Sequence, residues 1–227
     1  MTAHSADVRT GRTSAEDRAG KRERILDAAE RIFAERGFFA AKVADVAREA
    51  GVADGTIYLY FKNKDDLLVS LFEARMEIVN RVLSEAVGKA TRPREQLAAF
   101  VRAYLALVAD QPTAAEVLTI ELRQSTKFMR EYRAHGFGEL LRLLAGVIAA
   151  GQAQGELTSD IPAAHAARMI FGVLDELALT WLLGQMRKPV RGKAEAANGG
   201  DKKFDIEQAA EWVGRLVTSG LERRSDP

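Results

Sequence analysis

Apolar positions recur at helical spacing along almost the whole chain, and few β-branched runs interrupt them. Ile25, Ala28, Ala29, Ile32 and Phe33 fall at i, i+3, i+4, i+7 and i+8, one face of a helix, and Gly37 after Arg36 is a stop signal. Val43, Val46, Ala47 and Ala50 repeat the spacing over a shorter helix that Gly51 ends. Ile57, Tyr60 and Phe61 then form a small inward face, which leaves Thr56, Tyr58 and Leu59 pointing elsewhere. Three helices with a tight Gly turn between the last two, the final one too short to bury much, make the layout of a helix-turn-helix. Its second helix lies in the DNA major groove. Lys62 and Lys64 follow, and Asn63 is placed to cap the next helix ahead of Asp65 and Asp66. A plain three-helix packing unit is the alternative, but it gives two tyrosines beside lysines little use. Tyr60 fits the core as well as a phosphate contact, whereas Phe61 reads as core.

The remainder reads as helix upon helix. Leu67, Leu68, Leu71, Phe72, Ile78, Val79, Val82 and Leu83 mark a long helix over 63–87. Leu97, Phe100, Val101, Tyr104, Leu105 and Val108 mark another, up to Pro112. Further helices are predicted from about Thr113, up to Gly155, from Pro162 to Gln185, and from Asp205 onward. The last carries Ile206, Ala209, Ala210, Val213, Leu216, Val217 and Leu221 on one side. The predicted fold class is therefore all-α, with about nine helices in two domains. An N-terminal three-helix helix-turn-helix domain spans 18–66, and a C-terminal helical ligand-binding and dimerisation domain spans 67–223. Residues 1–17 are polar and are predicted to be a disordered tail. Residues 186–204 are basic, rich in Gly and Ala and without period, which predicts a flexible loop.

The helix from Pro162 to Gln185 is apolar over a wide arc, through Ala167, Ile170, Phe171, Leu174, Ala178, Trp181 and Leu182. Such a helix must be buried on two sides. One side can face its own core and the other a partner subunit, with the last helix as companion. A homodimer closed by a four-helix bundle would set two recognition helices in successive major-groove turns. The plain alternative is an interior helix of a monomer.

Charge and motifs narrow the function. The net charge is +1, so bulk charge gives no argument for nucleic acid. Basic residues cluster locally, in Arg9 to Arg24 and around Lys62 and Lys64, and phosphate contacts would have to come from these groups. The absence of Cys excludes disulfides and thiolate chemistry. No apolar run is long enough to span a bilayer, and residues 1–20 lack the apolar core of a signal peptide. A cytoplasmic protein with no membrane partner is expected. His4, His135 and His165 are scattered, and no HExxH, GxSxG or phosphate-loop pattern is present. No catalytic residue, metal site or cofactor follows, so an enzyme is the weaker class. Apolar helices interspersed with Gly136, Gly138, Gly146, Gly151 and Gly172 can leave a ligand cavity, although a close-packed core has the same composition. Arg123, Lys127 and Arg130 stand at i, i+4 and i+7 with Gln124 adjacent. A basic stripe beside an apolar cavity suits an amphiphile with an anionic head. The same spacing describes a solvated face.

The strings AAERIFAERGF, VADVAREAGV and GTIYLYFKNKDDLL, all within Lys21–Leu68, resemble the TetR family of bacterial transcription regulators. The resemblance implies a homodimer bound to double-stranded operator DNA. It implies that Gly55, Thr56, Tyr58 and Leu59 face the groove and that Tyr60 and Lys64 contact phosphate. Lys42 stands where the family commonly has Thr or Ser on phosphate; a lysine can supply a point charge there but cannot cap the helix in the same way. ELRQS (Glu121–Ser125) and RMIFGVLDELALTWLL (Arg168–Leu183) resemble the FadR-type branch. That branch implies a repressor of fatty-acid degradation genes, released from its operator by long-chain acyl-CoA. By the same resemblance Arg123 and Gln124 lie at the mouth or wall of the pocket, and Phe100, Tyr104, Phe171, Leu174 and Trp181 line an acyl tunnel. The 186–204 loop is longer than that branch leads one to expect. A TetR-type repressor of another apolar ligand, a drug or a different lipid, is the alternative.

Overall fold

A computed structural model describes residues 7–121, 135–186 and 205–221, with side chains at 17–121, 135–185 and 205–221. Among these residues there are nine α-helices, in keeping with the all-α expectation. They are α1 (Asp7–Arg36), α2 (Val43–Glu49), α3 (Asp54–Ile57), α4 (Lys64–Gly88), α5 (Pro93–Asp110), α6 (Pro112–Glu116), α7 (His135–Ala153), α8 (Ala163–Met186) and α9 (Ile206–Gly220). A π-helical stretch, Val117–Glu121, continues α6. Arg123, Gln124, Lys127 and Arg130, and the loop from 187 to 204, lie outside the described residues.

The first helix corrects the expected tail: α1 starts at Asp7, well before residue 18. Once the buried turns of a helix exist, each added residue costs little. Ala15, Glu16 and Arg18 are good helix formers by type.

The chain divides into two compact units. The first holds residues up to Phe72, together with Glu121. Its core is Ile25, Leu26, Phe33, Ile57, Phe61 and Leu68, all essentially without solvent exposure. Gly37 and Gly51 end α1 and α2 with φ of 74° and 65°, a left-handed conformation that side chains disfavour. The Gly37 N–H donates to the Phe33 carbonyl at 2.9 Å, closing α1. Two ion pairs fasten α1 to α2: Arg31 to Glu49 at 2.7 Å and Arg36 to Asp45 at 3.0 Å. Asn63 caps α4 as its position suggests. The Asp66 N–H donates to Asn63 Oδ1 at 2.9 Å, and the Lys62 N–H donates back to Asp66 Oδ2 at 2.8 Å.

The second unit runs from Glu73 to Ile120 and resumes after the first unit's return segment. Within it α5 packs against α7, α8 and α9. Leu97, Phe100, Val101, Leu105, Leu140, Leu144, Ile148, Leu174 and Ala178 form the core. Two glycines expected to leave space do the opposite. A Cβ on Gly136 would stand 2.6 Å from Met76 Cβ, and one on Gly151 would stand 2.5 Å from Leu157 Cδ1. Both sites serve close helix packing, whereas Gly146 and Gly172 have open space about them. Asp205 caps α9, its Oδ1 accepting from the Glu207 and Gln208 N–H groups at 2.9 and 3.3 Å. The buried face of α9 is Ile206, Ala209, Ala210, Val213 and Val217. Leu216, expected on that face, is 65% exposed and falls in line with Trp212, four residues earlier. On α8, Met169, Val173 and Leu183 form a second exposed apolar line, at i, i+4 and i+14. No helix of the described residues is long and apolar enough to cross a membrane.

Candidate functional site

Two buried anchors shape the first candidate site. Ile57 and Phe61 are each 1% exposed, and burying residues four apart turns Tyr58 and Leu59 outward. Helical turns continue past α3, with the Leu59 N–H donating to Thr56 O at 3.1 Å and the Tyr60 N–H to Ile57 O at 3.0 Å. Tyr58 and Leu59 are accordingly 58% and 72% exposed. Gly55 is also exposed, while Thr56 and Tyr60 are half-buried. Backbone, hydroxyl, phenol and isobutyl groups thus occupy one short, protruding element that can offer hydrogen bonds and apolar contact to base edges.

The lysines separate into two uses. Lys42 holds the N-cap position of α2 but makes no cap bond with its side chain, because an ammonium has no acceptor. Asp45 completes the turn instead, accepting the Lys42 N–H at 3.3 Å, and the Lys42 side chain stays exposed. Lys64, expected as a phosphate contact, is engaged within the fold. Its Nζ donates to the carbonyls of Phe38, Phe39 and Ala41 at 2.7, 3.2 and 3.1 Å and lies 4.6 Å from the Phe38 ring centroid. An ammonium has three donors, and the α1–α2 loop takes all of them.

The same loop is held from its other side by a residue that sequence spacing does not single out for this task. Glu121 is buried at 6% exposure, and its Oε2 accepts the Phe38 N–H at 2.6 Å. The two residues are 83 apart in sequence. A Cβ on Gly37, next to Phe38, would stand 3.5 Å from the carboxylate, an ordinary contact, so glycine is favoured there by its positive φ and not by space. The loop that leads into α2 therefore has a carboxylate on its N–H side and an ammonium on its carbonyl side.

Asp45 carries the electrostatics of the α1–α2 contact. Partial desolvation pushes its carboxyl up, but the Lys42 N–H and the Arg36 and Arg48 guanidinium groups outweigh this and hold it below the ordinary aspartate value. A carboxyl depressed by folding stabilises above its unfolded value, and that contribution is lost as pH falls through the lower folded value. The first unit is thus expected to lose an increment of stability below about pH 4, and Asp45→Asn to remove that part of the acid dependence. Melts of the two proteins across this range check it; parallel pH curves would refute it.

The second candidate site lies in the second unit. Tyr104 on α5 and Phe171 on α8 meet edge-on with centroids 5.9 Å apart, and Phe137 on α7 meets Phe171 at 4.8 Å. All three rings are half-buried, as is Trp181, while Phe100 and Leu174 are fully buried. The structure thus groups Tyr104 with Phe171 and places Phe100 and Leu174 in the core beneath. Phe137 joins the cluster; its place is legible only once α7 is packed. Among the described residues no cluster of His, Asp or Glu could hold a metal ion.

The comparisons agree with this two-part geometry. Residues 25–71 match the model for bacterial regulatory proteins of the tetR family, and residues 72–220 match that for the YsiA-like protein C-terminal region. The chain belongs to the TetR family of bacterial regulators. It is 34% identical to the fatty acid metabolism regulator protein of Bacillus subtilis, over 88% of this chain and 95% of that protein. The crystal structure of FadR from Bacillus subtilis with stearoyl-CoA superposes with a TM-score of 0.75 at 33% identity, over 88% of this chain and 99% of that one. The fatty acid degradation regulator FadR of Bacillus halodurans gives the same score and identity, over 90% of this chain and 97% of its own. As a TetR-family member the chain is a DNA-binding transcriptional regulator, and its relatives are regulators rather than enzymes.

Proposed function

We infer that this protein is a dimeric cytoplasmic repressor of fatty-acid metabolism genes that leaves its operator on binding long-chain acyl-CoA. The observation that carries the reading is the Tyr104–Phe171–Phe137 cluster. Tyr104 and Phe137 each meet Phe171, and all three rings stay half-buried in a unit that has ample core elsewhere. Rings left in that state offer apolar faces to an acyl chain, and the relative at 33% identity was crystallised with stearoyl-CoA. Arg123, Gln124, Lys127 and Arg130 supply the head-group chemistry by charge and by their place in the chain, directly after Glu121. The dimer reading is supported by the exposed apolar lines on α8 and α9. Gly55, Thr56, Tyr58 and Leu59 read the groove, and Lys42 and Tyr60 meet phosphate.

Release follows from linkage. An effector shifts DNA occupancy only if it binds better to the conformation in which the recognition elements are misplaced. Calorimetry with palmitoyl-CoA, free CoA and palmitate tests the effector assignment. Palmitoyl-CoA is expected to bind far more tightly than either fragment. Phe171→Ala should weaken it about tenfold or more, from about 1.5–3 kcal/mol of lost aromatic burial. Equal affinity for palmitate and palmitoyl-CoA would move the reading to a repressor of another apolar ligand.

A further inference from the structure

The part of α1 that precedes the helix-turn-helix core carries two arginines with a definite setting. Arg18 and Arg22 are four residues apart, so they share a helix face, and both are exposed. The Arg18 guanidinium carbon lies 5.8 Å from the Tyr60 ring centroid, and that of Arg22 lies 5.5 Å from the Phe61 centroid. Both distances fall within cation–π range. A cation–π contact uses none of the guanidinium N–H donors in hydrogen bonds, so they can still fork onto an oxyanion. The two arginines, with Ala19, Leu59 and Tyr60, line an open cleft of about 410 Å³.

The occupant follows from position and charge. Leu59 is 72% exposed and belongs to the element that enters the groove. The walls of a DNA groove are phosphates, so a basic cleft beside that element faces the backbone. Four other basic groups of this unit have carboxylate or carbonyl partners. Arg31 faces Glu49, Arg36 and Arg48 face Asp45, and Lys64 is bound to three carbonyls. Among the described residues no carboxylate forms an ion pair with Arg18 or Arg22.

We propose that Arg18 and Arg22 form, with Tyr60, a clamp for one backbone phosphate of the operator. It rests on the DNA-binding role of the family and adds α1 to the elements that touch DNA. The clamp takes over the cationic contact that Lys64 does not provide.

The test is operator affinity against salt, on the DNA upstream of the protein's own gene and on a random duplex. Neutralising one phosphate contributes about 0.9 to the slope of log affinity against log salt. The double variant Arg18→Ala/Arg22→Ala is expected to lose about that much slope, equally on both DNAs, because phosphates carry no sequence information. Arg18→Lys/Arg22→Lys should restore most of the slope. An unchanged slope in a folded double variant overturns the clamp. So does lower affinity at unchanged slope, which would mean that the arginines act only by packing on the rings. If the double variant does not fold, Arg18→Glu and Arg18→Gln decide. The clamp requires the charge reversal to bind more weakly with a smaller slope, and equal values overturn it. Operator binding by the unaltered protein keeps these outcomes separate from failure of the DNA-binding reading itself.

Discussion

Replacing Trp212 and Leu216 together by glutamate is expected to split the proposed dimer and to lower operator affinity by at least about a hundred-fold. Both side chains are more than half exposed, at 51% and 65%, so the substitutions remove nothing from the core of the protomer. Exposed changes of this kind alter protomer stability by only about 0.5 kcal/mol. In the proposed dimer the same positions sit in the four-helix contact with α8, where Met169, Val173 and Leu183 are also uncovered. Four carboxylates buried in an apolar two-fold interface are far costlier than the contacts they replace. Once the protomers part, each half-site is bound alone, and the gain from linking two binding events, roughly 10²–10⁴, is lost. Sedimentation and operator titration on one sample measure both effects. A variant that stays dimeric with unchanged operator affinity would contradict the assigned interface.

The second large effect is expected at Glu121. Glu121→Ala leaves the Phe38 N–H, itself in a buried residue, without its acceptor. A hydrogen bond to a charged group contributes about 1.5–3 kcal/mol, and an orphaned buried donor costs a similar amount. The loop into α2 then keeps only its carbonyl-side hold on Lys64. Glu121→Gln retains an acceptor oxygen and should recover part of the loss. Residue 120 belongs to the second unit and residue 121 to the first. The candidate effector-binding residues Arg123 and Gln124 follow at once in sequence. A weakened Glu121 contact is therefore expected to lower apo operator affinity as well as stability. Thermal melts and operator titrations of the two variants check this. Equal melting of Glu121→Ala and the unaltered protein would remove the carboxylate from the account.

Much of the fold is legible because local signals agree with one another. Gly37 and Gly51 stop helices where the backbone turns left-handed, Asn63 and Asp205 cap as their types suggest, and the apolar spacing names the core of both units. What spacing misses is set by distant partners. Nothing near Lys64 in sequence tells that three carbonyls from the α1–α2 loop will take its donors. Glu121 reads as part of an effector-domain string, yet its partner is 83 residues away. Leu216 fits the apolar stripe of α9 on a rough wheel, but a helix face buries about 100° and Leu216 falls beyond its edge with Trp212. Gly136 and Gly151 have the composition of a cavity wall and the geometry of a tight crossing. The start of α1 was hidden for a different reason: a helix that grows from a packed core needs no apolar period of its own.

Release of this regulator from its DNA by a long-chain acyl-CoA is the step on which the proposed function turns. The most direct measurement is a gel shift on the DNA upstream of its own gene, titrated with palmitoyl-CoA and, separately, with free CoA and palmitate. Release by palmitoyl-CoA alone is the expected result. A retarded complex that palmitoyl-CoA leaves intact at saturating concentration would contradict the claim.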